Sequence, residues 1–303
     1  MGEYVLRTKD LTKKYSKNTS VDGINLEIRK GDIYGFIGKN GAGKTTTIKM
    51  IAGLSSPSSG EIELFDGENV LDARKKIGTV IESPALYPYM TAYQNIEVQR
   101  IMKGVKDKSV TSQLIDIVGL QNAGKKKVKN FSLGMKQRLA IAIALVGEPE
   151  FLLLDEPING LDPSGIKDFR ELIVKLNKEA GITVLISSHI LSELAKFVTC
   201  YGVINEGKLI KQFKADELSA LTAPKAEFVV NDPQRACAII EDVFRVPNIK
   251  IDGNSVVVTG FVQKWDAIQK FLEDNDIIIS TVNKSGDSAE EYFLELMEGD
   301  KKQ

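Results

Sequence analysis

Short apolar runs alternate with longer helical patterns over roughly the first 220 residues of the chain. The runs with the character of strands occupy residues 33–38, 77–82, 151–156 and 182–189. Two of them are almost entirely apolar, as strands are when both faces of a sheet are covered. The alternation predicts an α/β fold with a mainly parallel sheet. Between 83 and 140 the pattern is mainly helical, which predicts a helical insert.

The rest of the chain, residues 223–303, follows a different order of elements. After a linker at 221–225 come a strand, a helix, a hairpin, a second helix and a further strand. This β-α-β-β-α-β order is that of a ferredoxin-like fold. Ser288 and Glu291 then have the spacing of a capping box at the start of a last helix. We therefore predict a large domain over 1–222, followed by a small α/β accessory domain without a chemical motif.

The overall charge is close to neutral, because 40 Lys and Arg face 41 Asp and Glu. Such a balance provides no electrostatic reason to expect nucleic acid as a partner. The longest apolar run, at 139–147, is much shorter than the ~18 residues that are needed to cross a bilayer. Cys200 and Cys237 lie far apart and match no metal-ligand spacing. We therefore expect reduced thiols in a cytoplasmic protein that lacks a signal peptide.

A glycine-rich segment, GKNGAGKT at 38–45, follows one predicted strand and leads into a helical pattern. In that context the pattern G-x-x-x-x-G-K-[ST] predicts a loop whose backbone N–H groups surround phosphate oxygens. Lys44 can reach the β and γ phosphates, and the hydroxyl of Thr45 can ligate Mg²⁺. The predicted nucleotide contacts of this segment and the residue after it are Gly38, Asn40, Gly41, Gly43, Lys44, Thr45 and Thr46. A coincidental glycine-rich turn is the alternative, and the flanking strand and helix disfavour it.

Two acids end the apolar run at 151–156. Asp155 suits the ligand shell of Mg²⁺, and Glu156 is placed to orient or deprotonate a water molecule that attacks the phosphate. Without the glycine-rich loop, a strand that runs into a solvated turn would explain both acids. With the loop, the acids predict metal-assisted hydrolysis of a nucleotide.

Further motifs surround these acids in the sequence. NFSLGMKQRLAIAIAL at 130–145 contains Ser132, which would also be a good helix N-cap. INGLD ends at Asp162, ISSHI contains His189, the only histidine, and LTKKY ends at Tyr15. In order and spacing, these motifs resemble those of the ATP-binding subunits of ABC transporters.

The resemblance implies an enzyme, an ATPase with ATP and Mg²⁺ as its cofactors, built on the P-loop cassette fold. This fold combines a mainly parallel core sheet, an antiparallel β subdomain and a helical insert. The resemblance also implies that Tyr15 stacks on adenine and that Asp162 belongs to the nucleotide site. His189 is implied to contact the γ-phosphate and the attacking water, with a structural role in the core as the alternative.

The resemblance further implies a pair of cassettes, since Ser132 and Gly134 in this family close over the nucleotide of the opposite subunit. Only one phosphate loop and one signature occur in this sequence, so a complete site needs two chains. A homodimer is the simpler expectation, and a heterodimer is possible. Leu133 departs from the usual signature, together with its neighbours Phe131 and Met135. Separate transmembrane permease subunits would hold the protein peripherally at the inner face of the membrane.

Variable segments narrow the resemblance to the bacitracin-resistance and lantibiotic-immunity exporters. These segments are IESPALYPYMTAYQN, FSLGMKQRL and AEEYFLEL. The implied function is removal of an antimicrobial peptide from the membrane. Other two-component transporters, for lipids, sodium or drugs, are one alternative. A cytosolic ABC protein that acts on ribosomes or DNA is another, but neither paired cassettes nor a long coiled coil occurs in the sequence.

The segment GTVIESPALYPYMTA at 78–92 carries one acid, Glu82, where this family usually has glutamine. The resemblance therefore makes Glu82 a candidate for contacts with Mg²⁺ and the attacking water. A carboxylate offers oxygens to Mg²⁺ but adds a negative charge. The apolar run from Pro84 to Met90 has two explanations: packing between the core and the helical insert, or docking of a helix from a membrane partner.

Overall fold

The computed structural model describes residues 4–16, 18–82, 85–246, 248–285 and 289–299. They form two units, the first ending at Ala215 and the second beginning at Asp216. Two residues named above, Pro84 and Ser288, lie outside the described residues. Among the described residues, no helix is both long and apolar enough to cross a membrane.

The first unit contains ten strands and seven α-helices in the described ranges. Its strands are β1 (Tyr4–Tyr15), β2 (Asn18–Ile24), β3 (Glu27–Arg29), β4 (Ile33–Ile37), β5 (Ser59–Leu64), β6 (Ile77–Val80), β7 (Phe151–Asp155), β8 (Thr183–Ser188), β9 (Cys200–Asn205) and β10 (Lys208–Lys214). Its helices are α1 (Lys44–Ile51), α2 (Val70–Lys75), α3 (Ala92–Met102), α4 (Ser109–Ile117), α5 (Leu133–Leu145), α6 (Pro163–Ala180) and α7 (Leu191–Leu194). Short 3₁₀ turns at Gln121–Ala123 and Val128–Asn130 precede α5.

A six-stranded sheet in the order β10-β9-β4-β8-β7-β6 forms the centre of this unit. Five strands are parallel, and β10 is an antiparallel edge. Every residue of β4, β7 and β8 is buried, which explains why β4 and β7 are almost continuous apolar runs in the sequence. The mainly parallel core sheet is thereby confirmed. Because parallel strands end at one edge of a sheet, the segments that follow β4, β6, β7 and β8 meet there.

A second, antiparallel sheet joins β1 to β2, β3 and β5. Its inward-facing residues share one hydrophobic core with the central sheet, including Leu6, Leu11 and Ile28 from one side and Phe36 and Leu153 from the other. This sheet is the predicted antiparallel β subdomain.

The helical insert consists of α3, α4 and the helix α5 that follows them. A capping box of Thr91 and Gln94 starts α3, which packs against both other helices. Inside the insert, the guanidinium of the buried Arg100 donates to both carboxylate oxygens of Glu97 and to the carbonyl of Val105. The hydroxyl of Thr111 in α4 donates to the same carboxylate at 2.9 Å. These bonds join α3 to α4 and lower the pKa of Glu97 to about 2, chiefly through Arg100.

The second unit begins within α8 (Ala215–Leu221) and contains a four-stranded antiparallel sheet. Its elements are β11 (Lys225–Val230), α9 (Pro233–Phe244), β12 (Ile249–Asp252), β13 (Ser255–Thr259), α10 (Trp265–Asp274), β14 (Ile279–Ser285) and α11 (Ala289–Gly299). The strand order β12-β13-β11-β14 with two crossover helices is the arrangement of a ferredoxin-like fold. Phe228, Val256 and Val258 of the sheet share a core with Ile240 of α9 and Ile268 of α10.

We expect Glu97→Gln to lower the melting temperature by a few degrees at pH 7, because the buried Arg100 loses its anion. The pKa of this carboxyl is about 2 in the fold, against an ordinary value of 4.5. The stabilising contribution is therefore complete above the ordinary value and is lost as the pH falls toward 2. Melts followed by circular dichroism should show the two proteins converging as the pH falls below 4.5.

Glu171→Gln provides the control, because Glu171 pairs with Lys167 on an exposed helix face at 3.9 Å. This variant should have the same melting temperature as the parent protein at every pH. An equal loss for both variants would contradict a specific role for the Glu97–Arg100 pair.

Candidate active site

The glycine-rich loop connects β4 to the start of α1, as its sequence predicts. Gly43 has a φ of 110°, and a Cβ at this position would lie 2.6 Å from the carbonyl oxygen of Ser20. Gly41 also has a positive φ, 81°. Both positions favour glycine because side-chain-bearing residues rarely adopt this conformation. The Ser20 hydroxyl of β2 lies 3.0 Å from the Thr46 hydroxyl, and this hydrogen bond joins β2 to the first turn of α1.

Lys44 is the first residue of α1, and its side chain is only 5% exposed. Its ammonium group donates to the carbonyl of Gly38 at 2.6 Å and to that of Lys39 at 3.2 Å. It also lies 3.1 Å from Oε1 of Glu156. A cavity of about 170 Å³ opens at this point, lined by Ser20, Asn40, Gly41, Gly43, Lys44, Thr45, Thr46 and Glu156. A ligand in this cavity can therefore contact the Lys44 side chain and the backbone of the glycine-rich loop.

Asp155 ends β7 and joins the loop to the central sheet. Its side chain is buried, and Oδ2 accepts a hydrogen bond from the Thr45 hydroxyl at 2.7 Å. Oδ1 accepts from the Ser187 hydroxyl of β8 at 2.6 Å. The same Ser187 oxygen accepts the backbone N–H of Glu156 at 2.8 Å. Ser187 therefore orients both acids. This role was not predicted from the sequence, although the hydroxyl at the end of the apolar run in ISSH is a local signal for it.

Glu156 lies between Lys44 and His189. Its backbone has a φ of 48°, the left-handed conformation that is unfavourable for a residue with a side chain. Oε2 lies 2.9 Å from Nδ1 of His189, while Oε1 is buried and makes no hydrogen bond to any residue that the structure describes. The side chain of His189 is 34% exposed at the end of β8. This exposure disfavours the core-packing alternative for His189.

The donors at this edge of the sheet fit both a phosphate group and Mg²⁺. Thr45 and Asp155 offer the oxygen ligands that Mg²⁺ prefers, and the buried Oε1 of Glu156 makes no hydrogen bond to a described residue, although it is ion-paired with Lys44. The described residues contain no group of three or more His, Cys, Asp or Glu side chains able to hold a metal ion. Mg²⁺ in such a site would need phosphate oxygens as additional ligands, which is its usual mode of binding beside a nucleotide.

Glu82 follows β6 and has a different partner from the other predicted site residues. Its carboxylate is 64% exposed, and Oε1 lies 2.5 Å from Nζ of Lys49 in α1. This hydrogen bond raises the pKa of Lys49 above its ordinary value. The hydrogen bonds of the described residues do not join Glu82 to Thr45 or Asp155. Lys49 is a second residue whose role no local sequence pattern indicates.

Other predicted residues lie apart from the phosphate loop. Ser132 accepts the N–H of Met135 at 3.3 Å and is therefore the N-cap of α5, as its sequence position predicts. Asp162 is the N-cap of α6 and accepts the N–H of Gly165 at 3.3 Å. The segments that contain the two caps are in contact, because a Cβ at Gly160 would lie 3.2 Å from the Leu133 side chain.

Leu133, Gly134 and Tyr15 complete this second group of predicted residues. Leu133 is 46% exposed, while Gly134 is half-buried near Leu161. The ring of Tyr15 is 49% exposed at the end of β1, with the ammonium of Lys13 5.0 Å from its centroid. None of them lines the cavity beside Lys44. The signature residues thus face outward in a single chain.

The chain is similar to known proteins over its whole length. The sequence model of the family described as "ABC transporter" matches residues 21–159. The bacitracin transport ATP-binding protein BcrA of Bacillus licheniformis is 43% identical over 300 residues, which are 97% of this chain and 98% of BcrA. The chain belongs to the ATP-binding subunits of ABC transporters.

Two further similarities support this assignment. The lantibiotic transport ATP-binding protein SrtF of Streptococcus pyogenes is 47% identical over 214 residues, 70% of this ABC subunit and 92% of SrtF. A solved structure described as a dimeric post-hydrolysis state of the ATP-binding cassette MJ0796, bound to ADP and Pi, has a TM-score of 0.62 and 26% identity. It covers 69% of this chain and 98% of the cassette. The subunit is therefore an ATPase that binds nucleotide and powers transport, and the P-loop cassette fold is confirmed.

We expect Ser187→Ala to reduce ATP turnover by about tenfold or more, because outer partners that orient catalytic ligands typically contribute that much. The variant leaves Asp155 and the Glu156 backbone without their shared hydroxyl. Steady-state phosphate release from the purified protein measures the effect.

Thr183→Ala is the matched control, because its buried hydroxyl lies at the opposite end of β8 and accepts the N–H of Gly31 at 2.9 Å. It should change stability without a comparable change in turnover. Equal losses of turnover in both variants would show that Ser187 acts only through packing.

Proposed function

We propose that this subunit binds Mg²⁺-ATP in a pair of cassettes and powers the export of an antimicrobial peptide. The observation that carries the proposal is the position of Glu156 between Lys44 and His189, at the mouth of the phosphate loop. Lys44 binds the β and γ phosphates, together with the backbone N–H groups of the loop. Thr45 and Asp155 hold Mg²⁺, which neutralises phosphate charge when it is bound.

Glu156 acts as the general base in this proposal. Its Oε1 oxygen lies beside the cavity, 3.1 Å from the ammonium of Lys44 and without a hydrogen bond to a described residue. Once phosphate oxygens bind Lys44, Oε1 can accept a proton from an attacking water. His189 holds the other oxygen at 2.9 Å and thereby sets the orientation of the carboxylate. The left-handed backbone of Glu156 and its bond to Ser187 aim the side chain toward Lys44.

Two cassettes form the working unit in this proposal. The predicted nucleotide contacts Ser132, Gly134 and Asp162 lie outside the cavity that surrounds Lys44, so they are available to the nucleotide of a second chain. Leu133 presents a large exposed apolar side chain between them, which a facing subunit would cover. The exposed ring of Tyr15 is available for adenine. A homodimer needs no further component, and a heterodimer with another cassette is the alternative.

Separate transmembrane permeases are the second class of partner that we propose. An open groove of about 310 Å³ lies beside Glu82, lined by Leu54, Thr79, Val80, Ile81, Ala85, Leu86, Gln99, Ala140 and Ile143. Tyr87, Tyr89 and Tyr93 are 49%, 74% and 43% exposed in and after the same segment. The exposure of these tyrosines favours docking of a membrane partner over internal packing as the role of the apolar run at 84–90. This contact would hold the subunit at the inner face of the cell membrane.

The substrate class rests on the relatives. BcrA is described as a bacitracin transport protein and SrtF as a lantibiotic transport protein, and the BcrA similarity includes the second unit. We propose that this chain serves an exporter of peptide antibiotics that act at the cell wall, for resistance or self-immunity.

Glu156→Gln should lower ATP turnover at least about 100-fold while ATP binding persists, because the general base is lost without a change in shape. His189→Ala should lower turnover about tenfold or more, since Glu156 loses its orienting contact. Phosphate release and binding of a fluorescent ATP analogue measure the two properties. Undiminished hydrolysis in Glu156→Gln would remove Glu156 from this role.

A growth assay tests the substrate class. The chain, expressed in a sensitive host with the membrane-protein genes adjacent to its own gene, should raise the tolerated concentration of at least one cell-wall-targeting peptide. Lys44→Ala should abolish that protection because the phosphate contact is lost. Protection against lipid stress, sodium or small drugs, but against no peptide, would contradict the peptide assignment and favour another two-component transporter.

A further inference from the structure

Lys49 forms an ion pair with Glu82 at the border of the phosphate site. It lies on α1, five residues after Lys44, and its Nζ is 2.5 Å from Oε1 of Glu82. The Lys49 side chain is 33% exposed and that of Glu82 is 64% exposed, so water and salt screen the pair. The pair connects the helix that begins at the phosphate loop to the segment that follows β6.

The charges around Lys49 explain why a cation is needed at this position. The hydrogen bond with Glu82 is the main cause of the raised pKa of Lys49, and the negative charge of Asp155 adds to it. Val80 of β6 lies opposite Leu154 of β7, so Glu82 and Asp155 lie at neighbouring strand ends, on the edge of the sheet that carries the phosphate loop. A carboxylate without a countercharge repels a polyanion and weakens its binding. Lys49 provides that countercharge.

The main chain of Lys49 reaches the groove that lies beside Glu82. Its carbonyl oxygen accepts the N–H groups of Leu54 at 2.8 Å and Ser55 at 3.2 Å, which ends α1. Leu54 lines the groove together with Ile81, the residue before Glu82. Lys49 thus bonds through its carbonyl to Leu54, which lines the groove, and through its ammonium to Glu82, which follows the lining residue Ile81.

The backbone of Glu82 adds a second reason for a fixed partner. Its φ of 60° is the left-handed conformation, which is unfavourable for a residue with a Cβ. This backbone turn after β6 sets the direction of the Glu82 side chain, and the ion pair holds its carboxylate at Lys49.

We propose that Lys49 is a positioning residue that neutralises Glu82 and holds it at the edge of the nucleotide site. Lys49 is required because Glu82 is an acid. The inference rests on the proposed function, since it assigns a role toward the nucleotide that this site binds.

A double-mutant cycle tests the inference on the purified full-length chain. We expect Lys49→Met to weaken binding of a fluorescent ATP analogue about fivefold or more, the lower range of coupling between interacting sites. In the Glu82→Gln background the same substitution should weaken binding of the ATP analogue less than about twofold, because no carboxylate is left to neutralise. Glu82→Gln alone removes a negative charge and should tighten binding. Titrations in EDTA and in Mg²⁺ should show the same coupling, since the ion pair contains no metal.

Lys76→Met is the matched control. Lys76 has a similar exposure of 37%, pairs with Glu68 at 2.7 Å and precedes β6 at the end opposite Glu82. It should leave nucleotide affinity unchanged, whereas Lys49→Arg should keep most of it. Thermal unfolding checks that each variant is folded, and Lys49→Gln replaces Lys49→Met if that variant is not.

Three outcomes overturn the inference. The first is an equal loss of nucleotide affinity on Lys49→Met in both backgrounds, which means that Lys49 acts independently of Glu82. The second is an equal loss of affinity in Lys76→Met, which reveals a general effect of net charge. The third is a parent protein that binds no ATP analogue, and it contradicts the proposed function as well. Failure of the growth assay with normal coupling contradicts only the proposed transport function.

Discussion

The site depends on the register of three parallel strands. β4, β8 and β7 are neighbours, and they end together because Ile37 lies opposite Ser188 and Asp155 opposite Ser187. Thr45 and Asp155 are 110 residues apart in the chain, yet this alignment brings them to 2.7 Å. A slip of one residue would direct Asp155 to the other face of the sheet. The buried apolar residues on both faces prevent such a slip, so the packing of the core maintains the geometry of the site.

The charges of the site are balanced in pairs. The buried ammonium of Lys44 is stabilised by two loop carbonyls and the carboxylate of Glu156, while the more exposed Lys49 pairs with Glu82. The partners of Lys44 matter because an isolated charge is costly to bury. Both cations belong to α1, so one helix provides the positive charge that faces the acids after β6 and β7.

The sequence predicted the elements of the fold and the local motifs well, for a physical reason. In the segment 38–45 each residue has a role that follows from the order of its neighbours, because a glycine-rich turn before a helix directs N–H groups inward. The all-buried strands were equally visible as continuous apolar runs. Ser187 and Lys49 escaped prediction because their partners come from other elements, and no local pattern marks a serine or a lysine as a partner for a distant acid.

The sequence by itself determined the alternation of strands and helices, the phosphate loop, the acids of β7 and the family to which the chain belongs. These features depend on the order of adjacent residues. Only the tertiary structure decided that Glu156 lies between Lys44 and His189, that Ser187 joins both acids, and that Glu82 pairs with Lys49. Those contacts depend on which strands are neighbours and where each strand ends, because distances between side chains are set by the packed sheet.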